Sequence, residues 1–361
     1  DLKKLDDSCW PASLAELDKK QLKPIFTTDF VRQRAEIAWG RGKAKVVIEA
    51  ALDLGKVIAG KQHEEICELE LELRQGEPEA LLELAAELAA DLPLMPCDIS
   101  KAERGYRLFD EASYSLQLPT PGLEAEQSLD DAVAAIGWYL LGSSQRLAEQ
   151  YRHNGHWRLL VDWLNCLVEL RALFGSLGQA APRASTSELR QLLDALLEDW
   201  RPRVQAGQQD DAARQQAPTQ FAAELEQTRW GLFSLSTSRW LLTRAWTSAR
   251  NKRGDRQGAA ALQSWLPTFF AEEGRDLQLK RYQQQPEDLA EQLPRIERLL
   301  LWLHLARGTL DIAETDRLFG ELNKLAELAK RPLSPEELEA RMTQAQIIMS
   351  LKPWKALLKN G

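Results

Sequence analysis

The sequence predicts an α+β protein in which a small antiparallel β-domain precedes a larger all-helical domain. Three observations support this prediction. Residues 26–108 mostly alternate apolar and polar side chains with a period of two, whereas residues after 128 repeat apolar side chains at helical spacing. The stretch 109–127 keeps neither period, contains two prolines and a glycine, and is typical of a linker. We therefore expect domains at 1–108 and 128–361.

Three segments of the first domain are predicted as strands, and each carries charge on one side. In chain order they read FVRQRAEIAW, KAKVVIEAALDLGKVIAG and EEICELELELRQG. In the third segment Glu68, Glu70 and Glu72 share one face, and Cys67 shares the other with leucines. In the second, Gly55 is expected to form a hairpin turn.

The helices are predicted from apolar spacing and from the residues at their ends. GEPEALLELAAELAADLP predicts a helix that opens near Pro78 and ends before Pro93. Ser128 is expected to cap the first helix of the second domain, with Asp131 three residues further on.

Further expectations concern the interior and the surface of the helical domain. The Gln-rich stretch 207–220 is predicted to be an exposed loop. His304 lies among leucines and is expected in the core. Core positions are also predicted for the tryptophans in apolar helical stretches, among them Trp163, Trp200 and Trp302.

Composition argues against several classes of function. A net charge of −8 argues against binding of nucleic acid through bulk electrostatics. The sequence contains no run of eighteen apolar residues, so no membrane span is predicted. Its first residues do not have the pattern of a secretory signal. The four cysteines lie far apart without a CxxC pair, so neither a disulfide framework nor a thiolate zinc site is expected. We predict a cytoplasmic protein with no nucleic-acid or membrane partner.

The aligned glutamates allow two interpretations. In the first, the strand is amphipathic, with its leucines on a core and its glutamates in water. In the second, the charged faces turn inward in a closed antiparallel sheet and line a wet tunnel. Glutamates there would hold a hard divalent cation such as Mg²⁺ or Mn²⁺, and basic side chains would neutralise the phosphates of a polyphosphate.

An ordered series of motifs resembles the C-terminal part of the CYTH domain, the triphosphate tunnel metalloenzyme family. The motifs are IEAALDLG at 48–55, ICELELEL at 66–73 and SKAERGY at 100–106. The preceding FTTDFVRQR is similar to the family's strand with a tunnel arginine, so the resemblance covers residues 25 to 108. The helical remainder resembles the CHAD domain that follows CYTH in bacterial inorganic triphosphatases.

The resemblance implies roles for individual residues. Glu68 and Glu70 match the family's metal-holding E-x-E pair. Asp53 and Glu49 match acidic positions of the preceding strand, with a part in metal binding or in orienting water. The predicted triphosphate contacts are Arg32, Lys101 and Arg104 by motif, and Lys45 and Arg34 by strand parity alone.

Two features depart from the family pattern. No E-x-E-x-K strand occurs upstream of Arg32, so we expect the chain to be a piece of a longer protein that carries this strand. The helical domain has few histidines for a CHAD domain. Its His153 and His156 are separated by a predicted helix break at Asn-Gly. Its basic stretches 239–256 and 274–282 are the best candidates for binding polyphosphate, and the alternative is that their cations are favourably placed at the C-terminus of a helix.

The predicted function is metal-dependent hydrolysis of inorganic triphosphate to pyrophosphate and phosphate. Two alternatives remain open from the sequence. The first is a class IV adenylate cyclase, an enzyme that shares the CYTH tunnel. The second is a binding module, which would capture polyphosphate without hydrolysing it. Formation of cyclic AMP from ATP would distinguish the first, and retention of polyphosphate without hydrolysis the second.

Overall fold

The chain is α+β and forms two compact units in a computed structural model, which describes residues 12–14, 22–40, 45–118, 120–248, 250–309 and 315–359. The first unit comprises the described parts of Asp1–Leu81 and Asp98–Leu116. The second comprises those of Leu82–Cys97 and Gln117–Gly361. Cys9, one of the four separated cysteines, lies outside the described residues.

The first unit is built on a three-stranded antiparallel sheet. Strands β1 (Thr27–Trp39), β2 (Val46–Ala59) and β3 (Gln62–Gln75) are hydrogen-bonded in the order β1-β2-β3. Within the described ranges the sheet has these three strands and does not close into a barrel, so the closed tunnel stays a prediction.

The register of the strands places the charged side chains on one face. Arg32 pairs with Asp53, which in turn pairs with Glu68. In the next row Arg34 lies opposite Ala51, and Ala51 lies opposite Glu70. Because directly opposite residues of an antiparallel sheet point to the same side, the acidic face of β3 and the basic face of β1 form one surface.

The predicted turn at Gly55 is wrong, because β2 continues to Ala59 and the chain reverses at Gly60 and Lys61. Gly55 lies opposite Phe30, where an added Cβ would stand 2.1 Å from the carbonyl oxygen of Asp29. The glycine thus permits a close approach of two strand backbones, which is the other common reason for glycine in a strand.

Helix α2 (Lys101–Phe109) packs against all three strands. Its N-terminus is fixed by Ser100, whose hydroxyl accepts a hydrogen bond from the amide of Glu103 at 3.0 Å. Gly105 lets the helix approach the ring of Phe26, since a Cβ there would lie 2.3 Å from a ring carbon. The N-terminal residue of α2, Lys101, is thereby held against the sheet.

Helix α2 covers the charged face of the sheet, whereas the opposite face exposes apolar side chains. Val31 is 67% exposed, and Leu54 and Leu69 are also exposed. On the α2 side Asp53 and Arg104 are buried. The two faces are therefore mixed: Glu70 and Glu72 remain exposed as in the amphipathic interpretation, whereas several apolar side chains of the opposite face are not covered by a core.

The second unit is helical, as predicted from residue 128 onward. The described residues after Ser128 form helices and short 3₁₀ turns, without a strand. The helix predicted from Pro78 is α1, which is counted with this unit from Leu82 onward. The helices are α1 (Pro78–Asp91), α3 (Leu129–Asn154), α4 (Trp157–Ser176), α5 (Ser187–Gln209), α6 (Asp211–Leu225), α7 (Arg229–Leu242), α8 (Lys252–Gly258), α9 (Leu262–Leu277), α10 (Leu293–Leu305), α11 (Thr315–Lys330), α12 (Pro335–Ser350) and α13 (Lys352–Lys359).

The loop predicted at 207–220 is wrong, because α5 and α6 meet there at Asp210. Its side chain accepts hydrogen bonds from the amides of Ala212 and Ala213 and caps α6. The Gln residues that make the stretch polar, and the Ala residues between them, are good helix formers. Ala217 and Phe221, one turn apart, are buried and anchor α6 in the unit.

Aromatic side chains fill the core of the helical unit. The predicted core positions of Trp163, Trp200 and Trp302 are confirmed, since each is at most 1% exposed. Trp163 packs edge-to-face on Trp200 with ring centroids 5.5 Å apart and on Phe221 at 5.2 Å. The expected cap at Ser128 is also confirmed, because its hydroxyl accepts a hydrogen bond from the amide of Asp131.

A search of the described helices found none that combines the length and the apolar character required to cross a membrane.

Candidate functional site

Lys101 lies at the centre of a cluster of carboxylates on the charged face of the sheet. Its Nζ is 2.9 Å from an oxygen of Asp53, 2.6 Å from one of Glu68 and 2.7 Å from one of Glu70. The position of the lysine follows from the N-cap of α2, and that of the carboxylates from the register of β2 and β3. Elements distant in sequence thus bring four predicted site residues together.

Arg32 reaches the same carboxylates from β1. Its Nε and Nη2 donate to the two oxygens of Asp53, each at 2.7 Å, which is a bidentate pair. Nη2 also donates to Glu70 at 2.6 Å. The guanidinium therefore bridges a buried and an exposed carboxylate.

The environment of Asp53 keeps this carboxylate charged. Its side chain is fully buried, yet hydrogen bonds from Arg32 and then from Lys101 lower its pKa to about 2. The hydrogen bond with Asp53 is also the main cause that raises the pKa of Arg32. Burial opposes the charged form of Lys101, but its hydrogen bonds to Glu70 and Asp53 outweigh that effect and raise its pKa.

Arg104 completes the set of cations from the next turn of α2. It is 4% exposed and donates to Glu68 through Nη2 and to Glu64, at 3.3 Å, through Nη1. Three cations and three carboxylates thus interleave on one surface, namely Arg32, Lys101, Arg104, Asp53, Glu68 and Glu70.

The carboxylates have the composition and spacing of a metal-ligand set. Asp53, Glu68 and Glu70 each offer one oxygen, and these three oxygens lie within 4.8 Å of one another. An all-oxygen donor set suits hard cations such as Mg²⁺ and Mn²⁺. The residues present therefore fit the predicted divalent cation.

Glu49 and Lys45 do not join this cluster. Glu49 lies four residues from Asp53 along β2, roughly 13 Å at the rise of a strand. It accepts a hydrogen bond from Arg74 at 2.8 Å, which lowers its pKa. Lys45 is exposed and precedes the first residue of β2, eight residues from Asp53. Glu49 was selected by its match to the family motif and Lys45 by strand parity alone, and neither signal contains the distance of the residue from the centre of the cluster.

Three charged residues in or beside the charged face of the sheet, two near the cluster and one beyond it, escaped the sequence analysis. Glu64, on the face of Glu68, contacts Arg104 and also Arg107, while Arg74 pairs with Glu49. The spacing of three residues between Arg104 and Arg107 would have indicated that they share one face of α2. The parity of Glu64 with Glu68 would have placed it on the charged side of β3.

The basic stretches of the helical unit form ion pairs within that unit. Arg239 lies 2.5 Å from Glu83, Arg244 lies 2.7 Å from Asp131, and the further pairs are Arg250 with Asp130 and Asp255, and Arg281 with Asp288. The arginines of a cavity of about 330 Å³ between α4, α5 and α10 are paired in the same way, Arg171 with Asp194, Arg201 with Glu297 and Arg298 with Glu273.

The histidine expectations for the helical unit have different outcomes. The predicted break between His153 and His156 is confirmed, because α3 ends at Asn154 and Gly155 adopts a left-handed conformation. The core position predicted for His304 is wrong, since its side chain is 43% exposed. Its Nδ1 lies 3.0 Å from Glu169, whose hydrogen bond raises the pKa of the histidine.

Comparison with known families assigns a class to the N-terminal region. Residues 3–106 match the model of the CYTH domain, a stretch that contains all three strands and the start of α2. The predicted resemblance to the CYTH family is thereby confirmed for this region. The match does not reach the helical unit, for which the CHAD assignment stays a prediction.

Comparison with curated proteins adds a particular relative. Over 93 residues the chain is 37% identical to an inorganic triphosphatase of Haemophilus influenzae. These residues are 26% of this chain and 25% of the relative, so the chain spans about a quarter of the length of the protein it matches. The similarity supports a function of the triphosphatase type at the level of the family.

Proposed function

We propose that the sheet unit belongs to a metal-dependent hydrolase that cleaves inorganic triphosphate into pyrophosphate and phosphate. The observation that carries the proposal is the position of Lys101 Nζ within 3 Å of three carboxylates that also form a metal-ligand set. Cations for phosphate oxygens and ligands for a divalent metal thus occupy one surface. The similarity to an inorganic triphosphatase supports the choice of substrate.

In this proposal the two kinds of side chain have separate tasks. Glu68 and Glu70, with Asp53 beside them, hold Mg²⁺ or Mn²⁺, which neutralises phosphate charge when it is bound. Arg32, Lys101 and Arg104 would bind phosphate oxygens of the triphosphate. In the free protein these cations and carboxylates neutralise one another, so binding of substrate and metal exchanges internal ion pairs for new ones.

The reaction requires positioning and charge stabilisation more than proton transfer by the protein. An oxygen of water forms a bond to a terminal phosphorus, and the bridging P–O bond breaks. Pyrophosphate leaves with the bonding electrons, and the proton of the attacking water passes to solvent. A carboxylate with a pKa of about 2 is a weak base, so we assign Asp53 to holding cations rather than to accepting this proton.

Phosphate release from inorganic triphosphate tests the proposal. The longer protein expected to carry this chain together with its E-x-E-x-K strand is incubated with triphosphate and Mg²⁺ or Mn²⁺, and then with EDTA. We expect metal-dependent release that Glu70→Gln reduces at least a hundredfold and that Glu72→Gln leaves unchanged. Glu72 is the matched control because it lies on the same face of β3 and is paired with Arg74 outside the cluster.

Three results would contradict the proposal or redirect it. Equal turnover in Glu70→Gln and the unmodified chain would exclude the assigned site. Retention of triphosphate without any phosphate release would favour the non-catalytic binding module. Formation of cyclic AMP from ATP would favour the cyclase.

A further inference from the structure

Glu64 joins two arginines of α2 at the margin of the cluster. One carboxylate oxygen accepts from Nη1 of Arg104 at 3.3 Å, and the other accepts from Nη2 of Arg107 at 3.0 Å. Arg107 is fully buried, and Arg104 is 4% exposed. A guanidinium is a cation, so the two side chains place two positive charges close together in the interior.

Two buried cations one helical turn apart repel each other unless carboxylates neutralise them. Glu64 pairs with both through its two carboxylate oxygens and thereby fixes the position of one guanidinium relative to the other. The other contact of Arg104 is with Glu68, a carboxylate of the proposed metal site. Arg104 is therefore held between a carboxylate inside the ligand set and one outside it.

The carboxylates of Glu68 and Glu64 differ in their relation to the proposed metal site. Glu68 is one of the three residues that would hold a divalent cation, and its carboxylate would then be shared between that cation and Arg104. Glu64 lies four residues away on β3, roughly 13 Å along the strand, and is not part of the set formed by Asp53, Glu68 and Glu70. Its contact with Arg104 can persist when Glu68 changes partner.

We propose that Glu64 is a positioning residue that acts through Arg104. It holds the guanidinium at the edge of the cluster so that the guanidinium is available to triphosphate oxygens. This inference rests on the proposed function, because it takes triphosphate as the ligand of the cluster. Without the carboxylate, the repulsion between Arg104 and Arg107 is no longer offset and the guanidinium of Arg104 is held by Glu68 alone, so that it is no longer fixed in the position that serves the ligand.

Calorimetric titration of the full chain with inorganic triphosphate in EDTA tests the inference without turnover. We expect Glu64→Gln to raise the dissociation constant about tenfold. Glu65→Gln is the matched control, because Glu65 is the next residue of β3, faces the other side of the sheet and pairs there with Lys56 at 3.2 Å. This control should change the constant by less than twofold.

A double-mutant cycle separates positioning from a general effect on the fold. In an Arg104→Gln background, Glu64→Gln should change the dissociation constant by less than twofold, because the residue through which it acts is absent. Glu64→Asp keeps the charge and should restore at least half of the lost affinity. If Glu64→Gln does not fold, the same cycle is measured with Glu64→Asp.

The possible results overturn different statements. If the unmodified chain binds no triphosphate, the proposed function fails and this inference fails with it. If the unmodified chain binds and Glu64→Gln binds equally well, the inference alone is overturned. A tenfold loss that persists in the Arg104→Gln background also overturns it, since Glu64 would then act independently of Arg104.

Discussion

The carboxylate of Asp53 is fully buried and yet charged, because Arg32 and Lys101 both donate to it. A buried charge without such partners would be strongly unfavourable. The same two cations are proposed to bind phosphate, so Asp53 determines where the phosphate-binding groups stand before a ligand arrives. At the scale of single residues, the cluster is therefore prepared for its ligand by internal ion pairs.

Removal of this charge should destabilise the sheet unit. We expect Asp53→Asn to lower the free energy of unfolding by about 3 kcal/mol, since it leaves Arg32 and Lys101 without their buried counterion. Urea denaturation at pH 7 measures the change. Asp29→Asn, at an exposed position of β1, is the control and should change the free energy by less than about 0.5 kcal/mol. Equal stability of the two variants would contradict the prediction.

The stabilisation by Asp53 should depend on pH in the acid range. Its pKa in the folded protein, about 2, lies below the usual value of 3.8, so its contribution is complete above the usual value. The contribution is lost as the pH falls from about 4 to about 2. Denaturation of the unmodified chain and of Asp53→Asn should give free energies that converge over this range. A difference that stays constant down to pH 2 would contradict the assignment.

At the scale of elements, α2 and the three strands depend on close backbone approach. A Cβ on Gly55 of β2 would overlap Asp29 and Phe30 of β1. A Cβ on Gly105 of α2 would overlap the ring of Phe26. These contacts hold the helix and the strands close enough for Lys101 and Arg104 to reach the carboxylates. The glycines thus serve the site although they carry no functional group.

Addition of one methyl group at Gly55 should weaken the pairing of β1 with β2. We expect Gly55→Ala to cost at least about 2 kcal/mol in unfolding free energy and to speed amide exchange in β1, because the backbones must separate. Gly142→Ala is the control, since the added Cβ meets no atom within 4 Å in the interior of α3. That variant should be up to about 1 kcal/mol more stable. Unchanged exchange in Gly55→Ala would refute the role given to this glycine.

At the scale of the whole molecule, the chain contains two units with different interiors. The helical unit is packed around aromatic rings, whereas the sheet unit contains buried ion pairs beneath α2. The proposed ligand contacts lie in the sheet unit. The stability of that unit should therefore respond to triphosphate while that of the helical unit does not.

Differential scanning calorimetry of the 361-residue chain tests this expectation. We expect two transitions, of which the one lowered by Asp53→Asn is the transition of the sheet unit. Triphosphate at a hundredfold excess over its dissociation constant, in EDTA, should stabilise that unit by about 2.7 kcal/mol and leave the other transition in place. A single transition, or a shift of both, would contradict the expectation.

Several features of the protein were determined by the sequence alone. The period-two alternation placed Glu68, Glu70, Arg32 and Asp53 on charged faces, and the order of motifs indicated the CYTH resemblance that the family comparison confirmed for residues 3–106. The helical character after residue 128 followed in the same way. These features are local, because the side-chain direction of a strand or helix is fixed by its own backbone period.

Contacts between elements were decided by the tertiary structure. Periodicity gave the face of Glu49 and Lys45 but not their distance from the centre, and it gave no sign that Glu64 joins Arg104 to Arg107. The close approach of the β1 backbone to Gly55 and the exposure of His304 were predicted wrongly for the same reason. Register, helix docking and burial depend on residues far apart in the chain, and local spacing carries no information about which of them meet.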